Sequence, residues 1–170
     1  LDSITMEQVI DRVTDLIFDF DAAIEVEKVF FEVIGLSVEA LGVGSLKGDF
    51  AVSIAASYIE AVADNVNAHL GTGPVGVGIE DGDLGLVVNE NGYALEASGA
   101  LYIVGGKFAS ASADEVTIRI NQTGVAWTGE IVEIASLSYT FTALEASTDL
   151  LVVNILGFEA HVLDSVYLRG

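Results

Sequence analysis

The densest set of potential ligand atoms in this chain is Glu80-Asp81-Gly82-Asp83, three carboxylates on four residues of turn-forming type. Hard cations such as Ca²⁺ take oxygen ligands, commonly carboxylates carried on a glycine-bearing turn. The spacing matches neither an EF-hand loop nor the glycine-aspartate repeats of calcium β-rolls, so an acidic hairpin turn without an ion stands beside the metal reading. Asp19-Phe20-Asp21 sets two carboxylates on one face of an extended segment with Phe20 opposite. Asp49 is a further candidate ligand. Calcium is the one cofactor these groups suggest.

Other chemistry is sparse. His69 and His161 are the only histidines, and with no cysteine the chain offers no zinc-ligand pattern. There is no Gly-x-Ser-x-Gly elbow, no phosphate-cradling glycine loop and no His-Glu-x-x-His, so no catalytic residue can be nominated. Asn121-Gln122-Thr123 fits both an N-glycosylation acceptor and a plain turn. Trp127 and the tyrosines are scattered, as expected of core and strand packing rather than of a sugar platform.

The elements that must position these groups belong to an apolar, acidic chain. Its 170 residues are 52% hydrophobic, with mean hydropathy +0.57 and a net charge of −20. A chain so apolar folds despite its charge, and at this length it can bury roughly 70% of its unfolded surface without disulfides. Six basic residues against 26 acidic ones argue against nucleic acid and against anionic membrane surfaces. No stretch has the length and apolarity of a membrane-spanning helix, so no membrane insertion is expected. Nor does the sequence open with a basic, signal-like region.

Residues 5–17 read as an amphipathic helix, with Met6, Val9, Ile10, Val13, Leu16 and Ile17 on one face and a Thr5/Gln8 capping box. Residues 22–41 lean towards strand. From Ser45 onward the pattern predicts strands at 45–55, 57–70, 75–80, 84–89, 93–104, 106–112, 115–121, 125–134, 137–144, 149–157 and 159–168. Turn signals fall at 72–74, 80–83, 89–92 and 122–124, with Asn91-Gly92 the best hairpin signal.

The pattern also repeats. Residues 29–48 align without a gap on 151–170, an offset of 168 − 46 = 122, with identity at Gly35/Gly157, Leu41/Leu163, Leu46/Leu168 and Gly48/Gly170. A weaker half-period pairs Gly48-Asp49-Phe50-Ala51 with Gly106-Lys107-Phe108-Ala109. This divides the chain into a helix and linker or cap (1–21), one β repeat (22–144) and the start of the next (145–170). The chain then reads as a slice of a tandem array.

Leu46-Lys47-Gly48-Asp49-Phe50, Tyr93-Ala94-Leu95-Glu96-Ala97-Ser98-Gly99 and Ile120-Asn121-Gln122-Thr123-Gly124, in that order, resemble repeat modules of giant secreted or surface proteins of Gram-negative bacteria. Those are often described as adhesin-like or calcium-dependent. The likeness covers about residues 42–124 and the restart at 150–170. It implies an extracellular or cell-surface, structural segment with no catalytic residues to carry over.

The expectation is therefore an all-β fold with one N-terminal helix, elongated as a β-solenoid or as stacked β-sandwich units. Its expected role is structural or adhesive: a rod or filament built edge to edge from neighbouring repeats of the same chain or from identical subunits, stiffened by cations. The rival reading is a carbohydrate-binding or polysaccharide-degrading β-fold acting on a surface glycan. That would need clustered aromatics beside a base, whereas Lys47, Lys107 and Arg119 are far apart in sequence.

Overall fold

The computed structural model describes residues 28–40, 42–72, 75–163 and 166–170. The helix expected at 5–17, with Asp19 and Asp21, lies outside them. Strands rich in Val, Ile and aromatic residues, which suit a pleated surface, dominate the rest. Six follow one another as an antiparallel meander: β1 (Val29–Ala40), β2 (Gly44–Ile54), β3 (Tyr58–Thr72), β4 (Val75–Asn89), β5 (Gly92–Gly105) and β6 (Ala109–Asn121). The chain then leaves the sheet for a small hairpin, β7 (Ile131–Ile134) and β8 (Leu137–Thr140). It returns as β9 (Leu150–Leu156) and β10 (Glu159–Val162), which lie end to end along the far side of β6, and closes with β11 (Val166–Arg169) beside β10.

Every pairing is antiparallel. The all-β expectation therefore holds for the described residues, while the chain runs as an open meander rather than winding in solenoid rungs. Further expectations are corrected: the run at 159–168 forms the hairpin β10–β11 rather than one strand, and the run at 125–134 is strand only over Ile131–Ile134. The turn placed at 80–83 is a β-bulge inside the single strand β4, with Asp81 at φ 49°. The two strands 106–112 and 115–121 are likewise one, β6, bulged near Asp114. Acidic and small residues signal a turn because they tolerate positive φ, and a bulge uses the same tolerance without reversing the chain.

The bulges line up across the sheet. Relative to their neighbours, β1, β3, β4 and β6 each carry one extra residue at mid-strand, whereas β2 and β5 run regularly. Because alternate residues face opposite sides, an extra residue in one strand alone would swap its faces. Bulging most strands at one level keeps a single face apolar from end to end. In one half of the sheet that face shows the cross-strand row Phe31, Val52, Ala61, Leu86, Leu95, Ile120 and Leu151. Past the bulges it shows Val38, Leu46, Ala68, Ile79, Leu101 and Ala113. The regular strands β2 and β5 show that both rows share one side: residues 46 and 52, like 95 and 101, are separated by an even count.

The opposite face carries the charge and the core. Its residues near the β2–β6 turns are small (Ala51, Ser53, Gly85, Ala94), which leaves room for a second layer. The β7–β8 hairpin, with Trp127, Phe141 and Leu144, fills that room over Ala51, Val62, Val87 and Ala94. The Tyr139 ring lies so close over Gly85 that any Cβ there would clash with it. Among the described residues the packing leaves one flaw: the Ser53 hydroxyl is fully buried with no hydrogen-bond partner. Ser53→Ala is therefore expected to stabilise the fold by about 1 kcal/mol, because it removes an uncompensated buried polar group. A lower midpoint in urea unfolding would contradict this.

Candidate functional site

The most informative local geometry is where the chain pairs with the restart of its own pattern. Along one side of β6, Asn121 lies opposite Leu150, Ile118 opposite Val153 and Glu115 opposite Leu156; the ladder resumes from Ser112–Glu159 to Ala109–Val162. In sequence, β9 and β10 are the 122-residue counterparts of β1. The structure repeats with them. The β1–β2 hairpin pairs Ala40 with Gly44 and Ser37 with Lys47; the β10–β11 hairpin pairs Val162 with Val166 and Glu159 with Arg169, the same register moved by 122. The interruptions also coincide, at Gly35 (φ 69°) and Gly157 (φ 62°). The left-handed backbone explains why glycine is kept at both. The side of β1 that pairs with no strand among the described residues thus has a counterpart that is already paired: the side of β9–β10 that meets β6.

The half-period has no such support. Phe50 sits within β2 on the apolar face, whereas Phe108 is exposed in the turn between β5 and β6. A short string of common residues matched there without structural equivalence.

The carboxylates are rearranged relative to the sequence expectation. Asp49 on β2, Asp64 on β3 and Asp83 on β4 occupy one level of the charged face. Asp49 Oδ1 accepts a hydrogen bond from the Gly35 amide at 2.6 Å, and Asp83 Oδ1 accepts from the Asn65 amide at 3.2 Å. Partial burial pushes the Asp83 carboxyl up, and the neighbouring carboxylates Asp64 and Asp81 add to the shift, outweighing the Asn65 hydrogen bond. Asp64, which the sequence reading did not single out, is therefore the immediate partner of Asp83. Glu80 and Asp81 are exposed at the bulge. Among the described residues no group of three or more His, Asp or Glu side chains is gathered tightly enough to hold a metal ion.

Two buried polar centres fasten the second layer to the sheet. Glu96, 2% exposed, accepts hydrogen bonds from the Thr142 hydroxyl, from the Thr142 and Ala143 amides at 3.3 Å, and from Arg119 Nε at 3.3 Å. Burial pushes its carboxyl up, but the hydrogen bonds and the Arg119 charge together outweigh that and hold it below the ordinary value. The same burial and the Glu96 charge push the Tyr139 phenol up, so it stays protonated. Asn121, fully buried, donates to the Val125 and Glu145 carbonyls at 2.7 Å and accepts from the Thr123 amide and hydroxyl. Thr123 Oγ1 in turn accepts from Trp127 Nε1 at 2.9 Å. With no access for a glycosyl group, Asn121 belongs to the turn reading.

The remaining singled-out residues are structural. Trp127 packs against Phe141 with ring centres 5.8 Å apart, and Tyr139 against Phe141 at 5.5 Å. His69 Nδ1 lies 3.1 Å from the Tyr102 hydroxyl. Arg119 is committed to Glu96 and Thr142. An open depression of about 540 Å³ beside the β5–β6 turn is lined by Lys107, Phe108, His161 and Tyr167 among others. Comparison with protein-family models, with curated proteins and with solved structures finds no match to this chain.

Proposed function

We propose that the chain is a structural repeat module that builds a rod by edge-to-edge strand pairing, in an extracellular or cell-surface setting, with an adhesive or spacing role. The observation that carries this reading is the ladder between β6 and β9–β10, because β9–β10 is the repeat counterpart of β1. A β6-type strand of a preceding repeat has the same ladder available on β1. Each repeat then adds six strands to one sheet, with a β7–β8 layer riding on its charged face. Edge strands left open invite pairing with another chain, and covalent succession of repeats gives each edge a designated partner.

A seamless two-repeat chain tests this directly. Residues 1–150 joined to residues 29–170 replace β9–β11 by a full second unit, since residue 29 is the counterpart of residue 151. One continuous sheet would lengthen by about 29 Å, six strand spacings of about 4.8 Å. Small-angle scattering reads this as a rise in maximum dimension. Two units tumbling independently, or a collapsed particle of unchanged length, would sink the proposal.

Cation stiffening is part of the same reading and rests on the acidity of the charged face: Asp49, Asp64 and Asp83 share one level there but are not gathered tightly enough to form a ready-made site. Melting in EDTA, in millimolar calcium and in millimolar magnesium is expected to show a calcium-specific rise in midpoint of more than about 10 °C. Asp83→Asn should reduce that rise. Equal behaviour with magnesium would reduce the acidity to general solvation.

A further inference from the structure

The apolar face of the sheet is uncovered among the described residues. It spans β1–β6, β9–β10 and β11, about 30 Å across, by strands about 40 Å long: a footprint of about 1,200 Å². The largest apolar patch on an ordinary monomer is about 300–600 Å². Phe31, Leu70, Ile103 and Leu151 are exposed on this face, Leu70 by 61% and Leu151 by 67%. A sheet hydrophobic on one side must lay that side on another layer.

The geometry points to a second copy of this chain as that layer. We infer that two sheets pack apolar face to apolar face as an aligned sandwich, the two copies related by a two-fold axis. Three observations favour this occupant. The footprint exceeds the roughly 800 Å² per partner that a stable interface needs. The acidic side chains that alternate with the apolar rows (Glu32, Asp49, Glu60, Asp64, Asp83 and Glu96) lie on the opposite face, so the charge these strands carry is turned away from the contact. Large and small residues also mix across it: the row Ala40, Gly44, Leu70, Val77, Ile103 and Ala111 offers both ridges and hollows to a facing sheet.

Other occupants fit less well. An amphipathic helix of thirteen residues, the most the pattern at 5–17 would supply, covers about 20 Å by 10 Å, roughly a sixth of the face. A bilayer would be met by aromatic girdles at both ends of the strands. Here the one tryptophan is on the other side, in the core. On the apolar face Phe31 and Tyr93 lie at one end of the strands and Phe50 mid-strand, while the strand residues at the other end are aliphatic or small (Ala40, Gly44, Leu70, Val77, Ile103 and Ala111). The inference does not depend on edge pairing between repeats, since it uses the face and not the edges.

Sedimentation equilibrium of the 170-residue chain from 1 to 100 µM tests it. The expected mass is twice 17.8 kDa. Ile103→Lys places a charge on the contact face of the inner strand β5, two residues from its end, and should raise the dissociation constant about 100-fold or more. Leu70→Lys, more exposed still, should act alike. Ser112→Lys, exposed on the charged face, should leave the dimer intact. Circular dichroism and a melting curve for each variant separate lost association from lost folding. A monomer at every concentration overturns the inference and leaves the face to residues 1–27. A dimer untouched by both face variants overturns it too, since the copies then join elsewhere. So does a monomer that binds a fluorescent fatty acid or floats with phosphatidylcholine vesicles, which assigns the face to acyl chains.

Discussion

Glu96→Ala is expected to destabilise the fold by about 3–5 kcal/mol, because it removes one partner of a buried ion pair and strands the other. Arg119 would keep its charge on a largely buried guanidinium with only the Thr142 hydroxyl at 3.2 Å. The Thr142 and Ala143 amides would lose their acceptor. Glu96→Gln keeps the shape and part of the hydrogen bonding, so its loss should be smaller. The double change of Glu96 and Arg119 to Leu and Met should recover much of the stability lost by Glu96→Ala, since a buried pair replaced by apolar groups of similar volume is often neutral. Urea unfolding at pH 7 reads all three; a Glu96→Ala loss below about 1 kcal/mol would show that the pair contributes nothing net.

The same carboxylate predicts a pH dependence. Its folded-state value lies below the ordinary 4.5, so the folded chain holds this group ionised more firmly than the unfolded chain does. The stabilisation is therefore complete above about pH 4.5 and is lost as pH falls through the lowered folded value. Asp83 is shifted the other way: its contribution is present below the ordinary carboxylate value and is lost as pH rises through the raised one. Comparing wild type with Glu96→Gln isolates the first effect. Below pH 4.5 the wild-type curve should fall more steeply than that of Glu96→Gln. Parallel curves would remove Glu96 from the acid transition.

Asn121→Ala should be as damaging, by about 3–5 kcal/mol, or about 10 °C in melting temperature for a chain of this size. The side chain uses both amide hydrogens and its oxygen, and each partner is backbone or a residue that holds the crossing segment 122–149 onto the sheet. Removing it leaves the Glu145 carbonyl without its donor and the Val125 carbonyl with only the Thr123 hydroxyl at 3.4 Å, and frees Thr123, on which the Trp127 indole depends. Asn121→Asp keeps the acceptor but sets a charge against the two carbonyls, so it should do no better than alanine. A variant that melts within about 2 °C of wild type would show that the Trp127–Phe141–Leu144 packing holds the segment unaided.

Neither centre was visible beforehand, and the reason is physical. Glu96 looks like one more of 26 acidic residues; only the return of Thr142 and Ala143, 46 and 47 residues later, makes it a buried acceptor. Asn121 carried a weak signal as the start of an Asn-Gln-Thr-Gly turn, but a local turn and a fully satisfied anchor share that spelling. Asp64 gives no signal in the sequence because its partner Asp83 is a neighbour across strands, not along the chain.

What the sequence determined by itself is what depends on residues near one another along the chain. Period-two alternation of Val, Ile and Leu with polar residues set β2, β3 and β5 within one or two residues of their observed ends. The 122-residue echo aligned residues 151–170 with 29–48 but read 159–168 as one strand; that this run folds as the hairpin β10–β11, in the register of β1–β2, came only from the structure. The tertiary structure decided the rest. Whether an acidic, glycine-bearing stretch reverses the chain or only bulges it depends on whether the neighbouring strands continue past it. At Glu80–Asp83, β3 and β5 do continue, and their hydrogen bonds hold β4 straight. Likewise, four bulges must fall at one level before the apolar residues of all the strands gather on one side, and that level is set by strand pairing, which no single strand encodes.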